Sequence, residues 1–167
     1  MELYPWIVFI HAAGVLLFFI AHGASMAVAF RVRRERDPAR VRALLELSAW
    51  SVTLWPSIAL IIGIAAGIAA GIMGGHFGRL WIWLSLVLLI VVSGVMTPMA
   101  AMRFNAVRAA AGIAVTPPFS RRPPPDPPAP DEVELRRLLD AWNPIPTAAI
   151  GLGGFLVILW LMFLKPF

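Results

Sequence analysis

Four long apolar segments dominate the sequence and limit the folds that are open to it. They cover about 5–30, 48–74, 79–103 and 144–164. Each reaches the roughly 20 apolar residues that a helix rising 1.5 Å per residue needs to cross a bilayer. Because backbone groups in hydrocarbon must find hydrogen bonds within the protein, these segments are expected to be helices. The sequence therefore predicts an all-α membrane protein, a four-transmembrane-helix bundle that forms a single membrane domain over 1–167.

Composition supports lipid as the solvent for most of the chain. Hydrophobic residues make up 60% of the sequence and charged residues 14%, against about 45–50% and 25% in soluble domains. The net charge of +5 does not indicate a nucleic-acid partner, because the arginines lie beside the apolar segments and no basic aromatic module is present. The absence of cysteine excludes disulfides, thiolate catalysis, Cys-ligated zinc and c-type haem attachment.

The basic residues predict how the chain is oriented in the membrane. Six arginines lie between the first two segments and six between the end of the third and the fourth, whereas the opposite side carries only Arg79 and Lys165. The positive-inside rule therefore predicts both long loops in the cytoplasm and both termini outside. The basic cluster follows the first segment instead of preceding it, so that segment is expected to be a retained anchor and not a cleaved signal peptide. Arginine-rich, lysine-poor usage is typical of GC-rich bacterial genomes, which predicts a multi-pass protein of the bacterial inner membrane.

The first loop contains a helix start. Asp37 is a suitable N-cap and Pro38 a suitable first helical residue. We expect the helix that begins there to continue into the second segment, with a kink near Pro56.

The second loop, 113–143, is rich in proline. Residues 116–130 are expected to be extended polyproline. Asp131 and Glu134 then form a weak capping box for a short amphipathic helix over 132–141. Its apolar residues are predicted to lie on the membrane surface or on a partner: Leu135, Leu138, Leu139 and Trp142.

All seven tryptophans fall near the predicted ends of the four segments, so they are expected to form the aromatic belts of the membrane interfaces. They are Trp6, Trp50, Trp55, Trp81, Trp83, Trp142 and Trp160.

Glycines repeat at a spacing of four along the second segment: Gly63, Gly67, Gly71 and Gly75. Such a ridge of small residues lets two helices approach closely in lipid. It predicts either an interface to a second copy or a larger membrane complex, or packing inside the bundle, and the sequence leaves both open.

The first segment carries two histidines, His11 and His22. Ionisable side chains inside a membrane segment are a functional-site hypothesis by default. Eleven residues separate the two, which leaves them on one face of a helix, about 20° and about 16 Å apart. They cannot therefore ligate the same iron, although each could ligate a b-type haem at a different depth.

Each such haem needs a second ligand unless its iron stays five-coordinate or is ligated by another subunit. Helical rise places Met73 or His76 near the level of His11 and Met96 near the level of His22. His/Met ligation of haem iron is established chemistry. The alternative is that each histidine is neutral and simply hydrogen-bonds to a neighbouring helix.

Two family resemblances extend this interpretation. The string FIHAAGVLLFFIAHGASMAVAFRVRRERDPARVRALLELS, with GRLWIW and LVILWLMFLKPF, resembles a group of bacterial integral membrane proteins of unknown function. An early histidine on the first helix is similar to proteins of the CopD and HemJ type. HemJ-type proteins are haem-containing protoporphyrinogen oxidases and CopD-type proteins are linked to copper, so this resemblance implies His11 as a haem ligand.

Three functions remain open at this point. The first is a small inner-membrane protein that binds b-type haem or is associated with a redox or respiratory complex. The second is a cofactor-free accessory subunit that assembles through the glycine ridge. The third, which follows from the resemblance, is a HemJ-like porphyrin oxidase.

Overall fold

The computed structural model describes residues 3–49, 54–115 and 126–167. Within these ranges the chain is helical and has no strand. The helices are α1 (Tyr4–Arg34), α2 (Pro38–Ala49), α3 (Leu54–Met73), α4 (Leu80–Ala110), α5 (Glu132–Ala141) and α6 (Ile145–Leu164). A 3₁₀ turn, His76–Gly78, connects α3 to α4. Four of the helices, α1, α3, α4 and α6, are long and apolar enough to span a membrane, which confirms the predicted class of four-helix membrane protein.

Two helices are longer than the apolar segments that predicted them. The helices α1 and α4 both contain 31 residues and run on to Arg34 and Ala110, past the predicted ends at 30 and 103. The last turn of α1 contains three arginines and that of α4 contains Arg108, and residues of both turns pack against other helices. The sequence predicts one continuous helix from Pro38 into the second segment, and residues 50–53, between α2 and α3, lie outside the described residues. Most of the proline-rich segment, 116–125, lies outside them as well.

The four spanning helices pack as two pairs, α1 with α3 and α4 with α6. In the first pair the backbones touch, because a Cβ added to Gly14 would lie 2.7 Å from the carbonyl oxygen of Ala59 and 2.8 Å from the Cα of Gly63. In the second pair the glycines of α6 receive side chains of α4. Gly151 lies against the sulfur of Met96, and a Cβ on Gly154 would come within 2.5 Å of Val92. Small residues thus set the close approach in both pairs.

The glycine ridge of α3 contacts other parts of this same chain. Gly63 and Gly67 face α1, and Gly71 faces side chains of the 3₁₀ turn and of α4. Gly75 is not part of the ridge, because α3 ends at Met73 and Gly75 adopts a left-handed conformation with φ of 65°. Of the two interpretations of the ridge, this arrangement corresponds to packing inside the bundle.

Beyond the spanning region, the arginine-rich end of the bundle has a compact apolar core where α1, α2, α4 and α5 meet. Its buried members are Ala29, Val32, Val41, Leu45, Phe104, Val107, Ala110, Ala111, Leu135, Leu139 and Trp142. The prediction that the apolar face of α5 lies on the membrane surface or on a partner is therefore wrong. Leu135, Leu139 and Trp142 are only 2–4% exposed and pack against their own chain.

Side-chain caps hold the two short helices at this end. The Asp37 carboxylate accepts a hydrogen bond from the Ala39 N–H, as predicted for the N-cap of α2. The Asp131 carboxylate accepts from the N–H groups of Val133 and Glu134, and its own N–H donates to the Ala110 carbonyl at the end of α4. Because that donor is already used, Glu134 does not complete a capping box. It pairs with Arg137, and this hydrogen bond lowers the pKa of the Glu134 carboxyl.

The tryptophans divide between the surface and the interior. Trp6, Trp83 and Trp160 are about half exposed, as expected for an interfacial belt. Trp81 and Trp142 are 6% and 4% exposed, so these two are core residues and the belt prediction is wrong for them. Trp50 lies outside the described residues.

The packing of α5 on the core leads to the first prediction. Leu139→Ser removes a buried side chain and buries a hydroxyl, so we expect α5 to detach from the core at a cost similar to Leu→Ala truncation, about 2–5 kcal/mol. Val133 is on the same helix but 83% exposed, and Val133→Ser should be nearly neutral. Hydrogen exchange of the α5 amides measures the difference. Equal protection in the two variants, or a larger loss in Val133→Ser, would contradict the intramolecular docking.

Candidate functional site

A narrow cavity, here called the slot, separates the α1/α3 pair from the α4/α6 pair. It is lined by residues within 4–18, 60–71, 76–89 and 155–165. These lie at the terminal end of the bundle, where α1 begins and α6 ends. The slot has a volume of about 240 Å³, which exceeds the roughly 150 Å³ that holds benzene in an engineered apolar cavity.

The slot is long for its volume. On α1 its lining residues recur along one face at Tyr4, Val8, His11, Val15 and Phe18. Fourteen residues of helical rise place the first and last of these about 21 Å apart. The slot is therefore elongated along α1, and it is partly open to the surface of the bundle.

Most of the lining is aliphatic or aromatic, and the polar side chains have fixed positions within it. Ser85 donates to the carbonyl of Trp81 on its own helix, at 2.8 Å. His11 lies partway along the slot, while Tyr4, His76 and Lys165 gather at the terminal end. At the centre of the slot, Ser85 hydrogen-bonds within its own helix, whereas His11 hydrogen-bonds to a neighbouring helix.

The ring of His11 is held by α3. Its Nδ1 lies 2.7 Å from the carbonyl oxygen of Gly63. Because a carbonyl only accepts, Nδ1 carries the proton, and in the neutral ring Nε2 is left as an acceptor. Gly67 makes room for the ring, since a Cβ there would lie 2.6 Å from Nδ1 and 2.8 Å from Cε1. The repeat of Gly63 and Gly67 thus serves to seat His11 against the helix.

The terminal end of the slot contains a group of three polar side chains beside one aromatic ring. The Tyr4 hydroxyl lies 3.3 Å from Nε2 of His76. The His76 ring centroid is 5.5 Å from that of Trp81, and Nζ of Lys165 is 5.8 Å from the Trp81 centroid. No ion pair among the described residues includes Lys165.

The structure brings together only two of the three residues predicted as ligands of a haem at the level of His11. His11 and His76 both line the slot. However, His76 contacts Tyr4, which is seven residues and therefore about 10 Å along α1 from His11. The contact with Tyr4 therefore places His76 about two helical turns from His11 along α1. Met73 is 50% exposed and is not among the lining residues.

The residues predicted as ligands of a second haem, at the level of His22, lie outside the slot. Neither His22 nor Met96 lines the slot. The His22 ring is 5.3 Å from the ring of Phe18 on its own helix, and the sulfur of Met96 packs on Gly151 inside the α4/α6 pair. Met96 is only 4% exposed, so it acts as the side chain that fills this helix contact. In the described ranges there is no cluster of three or more His, Asp or Glu side chains that could hold a metal ion.

Sequence reasoning missed two residues of the slot, Tyr4 and Lys165. In the sequence, Lys165 counted only toward the charge balance of the loops, and Tyr4 was not singled out. The available signal was their rarity, since the sequence contains one tyrosine and one lysine, and the fold places both at the same end of one cavity.

No family model, curated protein or solved structure matches this chain. The chemistry of the slot is therefore the main guide to its function.

The hydrogen bond of His11 leads to the second prediction, which concerns the tautomer of its ring. We expect its neutral ring to carry the proton on Nδ1, because that nitrogen faces the Gly63 carbonyl. Nitrogen-15 NMR of histidine-labelled protein in detergent distinguishes the two tautomers, and His11→Gln, His22→Gln and His76→Gln assign the three rings. A protonated Nε2 in the neutral ring of His11 would contradict the hydrogen bond that orients it.

Proposed function

We propose that this protein binds a single lipophilic chain, such as the acyl chain of a lipid-derived molecule, in the slot between its two helix pairs. The observation that carries the proposal is the shape of the slot, about 240 Å³ of mostly apolar space drawn out over about 20 Å of helix. Ligand sites in proteins are typically concave, mainly apolar and provided with a few convergent polar groups. The slot has these properties, with His11 inside it and three polar side chains at one end.

Side chains at the inner end of the slot limit the length of the chain that can bind there. Phe19 of α1 stacks on Phe155 of α6 with their centroids 3.9 Å apart. Phe155 lines the slot, so the stacked pair closes it between the two helix pairs. A chain that enters from the terminal end would therefore lie along Val8, His11 and Val15 and stop near Phe18.

A neutral photoreactive chain tests this proposal, which is the third prediction. A medium-chain fatty alcohol bearing a diazirine near its end should label residues that line the slot in the purified protein. Val15 lines the slot and Leu16 is 57% exposed on the outside of the same helix. Val15→Phe should therefore strongly reduce labelling of the slot, whereas Leu16→Phe should leave it unchanged. Labels confined to outward-facing residues, or an unchanged pattern in Val15→Phe, would show that the slot does not hold the chain.

A second candidate is b-type haem, which the geometry of His11 favours. Histidines that ligate metals usually donate their other ring N–H to a carbonyl or carboxylate, and His11 makes such a bond to Gly63. A bound haem would supply redox chemistry. This second candidate therefore includes a protein that is associated with a redox or respiratory complex. A tetrapyrrole is much wider than a hydrocarbon chain, so it would need more room between the helix pairs. The same purified sample separates the two candidates, since bound haem gives a Soret band that His11→Gln should abolish and a lipid chain gives none.

A cofactor-free accessory subunit would have to assemble through surfaces other than the glycine ridge. Gly63, Gly67 and Gly71 are already covered by parts of their own chain. The outward faces of the spanning helices remain, for example Ile61 and Ile90, which are 65% and 70% exposed and suited to lipid or to another helix. The HemJ-like oxidase stays a prediction of the resemblance alone.

We further propose that the protein lies in the bacterial inner membrane with its arginine-rich end in the cytoplasm. The arginines flanking α1, α2, α4 and α5 support this orientation. The natural sequence has no cysteine, so single cysteines can be introduced without a background. We predict that an impermeant maleimide added to intact cells will label Gly78→Cys, in the turn between α3 and α4, but not Ala129→Cys, in the second loop. The reverse pattern would overturn the orientation.

A further inference from the structure

We infer that the terminal end of the slot recognises a carboxylate, so that the chain bound in it belongs to a fatty acid or a similar acyl anion. This inference rests on the proposed chain-binding function and adds the chemistry of the head group. It follows from the charge at that end of the slot and from the hydrogen-bonding groups around it.

Among the described residues that line the slot, Lys165 is the only Lys or Arg, and none of them is Asp or Glu. Its backbone is fixed as the C-cap of α6, with its N–H bonded to the carbonyl of Leu161 at 2.9 Å. Its side chain reaches back over the ring of Trp81, a wall of the slot. The ammonium of Lys165, which has no acidic partner among the described residues, is therefore placed where it can face an anionic head group in the slot.

Tyr4 and His76 add hydrogen-bonding groups at the same end of the slot as this charge. Both are half-buried and they contact each other through the Tyr4 hydroxyl and Nε2 of His76. Gly74 leaves space for the His76 ring, because a Cβ there would lie 2.5 Å from Nε2. A carboxylate has two oxygens that accept hydrogen bonds. One can face the Lys165 ammonium while the other accepts from the Tyr4 hydroxyl or from a ring N–H of His76.

The position of these groups matches the shape of an acyl anion. Tyr4 and Lys165 lie at the terminal end, where the chain enters, and apolar side chains continue from there along α1. The head would therefore remain at the membrane interface, where an anion is partly hydrated, while the chain passes His11 toward Phe18. A neutral chain of the same length would fill the same space without using Lys165.

The test compares two photoreactive probes of equal chain length, a diazirine fatty acid and the matching diazirine fatty alcohol, on the purified full-length protein. We expect the acid to label the slot at lower concentrations than the alcohol. Lys165→Gln should weaken acid binding by at least about tenfold, the loss typical of one hydrogen bond to a charged group, and leave alcohol binding unchanged. Lys165→Arg should restore most of the acid's preference.

Arg79→Gln is the matched control, because Arg79 is a basic residue at the same end that does not line the slot. It should leave both probes unaffected. If acid and alcohol label the slot equally and Lys165→Gln changes neither, carboxylate recognition is wrong while chain binding stands. If Arg79→Gln weakens the acid as much as Lys165→Gln does, the effect is general surface charge and the inference is also wrong. If neither probe labels the slot, the proposed function itself fails.

Discussion

The contact between the backbones of Gly14 and Gly63 is the constraint on which the rest of the site depends. Because neither residue has a side chain, α1 and α3 approach closely enough for the His11 ring to reach the Gly63 carbonyl and to fit over Gly67. A larger residue at Gly14 would meet the backbone of α3 directly. Moving α3 away would lengthen the His11 hydrogen bond and change the wall of the slot at the same time.

The two ends of the bundle differ in how they are stabilised. At the arginine-rich end, α2 and α5 cover an apolar core that resembles that of a small soluble domain, and caps and ion pairs surround it. Arg36 and Asp140 are one such pair, at 2.7 Å, and the guanidinium lowers the pKa of the Asp140 carboxyl. At the terminal end the slot lies between the two helix pairs. The arginine-rich end of the molecule is therefore filled by packed side chains, whereas the terminal end contains a cavity that is suited to binding.

The sequence was sufficient to predict the class of fold, because the need to satisfy backbone groups in lipid leaves little choice to apolar segments of this length. It also predicted the Asp37 and Asp131 caps, which depend on neighbouring residues only. It could not predict that α5 packs on α2 and α4, because an amphipathic face indicates that something covers it but not what. Trp81 and Trp142 were misplaced for the same reason, since proximity to a span end does not say which way a side chain points.

The candidate site was harder to predict because it is formed by pairs of residues far apart in the chain. Helical spacing predicts that His11 and His22 lie on one face of α1, yet only His11 lines the slot. Depth counting placed Met96 opposite His22, but depth does not determine rotation about the helix axis, and Met96 points into Gly151. Tyr4 and Lys165 are separated by nearly the whole sequence and meet only in the folded bundle.

If a lipophilic chain occupies the slot between the two helix pairs, an experimental structure in lipid nanodiscs tests this most directly. We expect an elongated density between α1/α3 and α4/α6, running past His11 and ending near Phe18, with the Nδ1 edge of His11 on the Gly63 carbonyl. Helix pairs closed against each other with no space at His11, or a compact density on the outer faces instead, would contradict it.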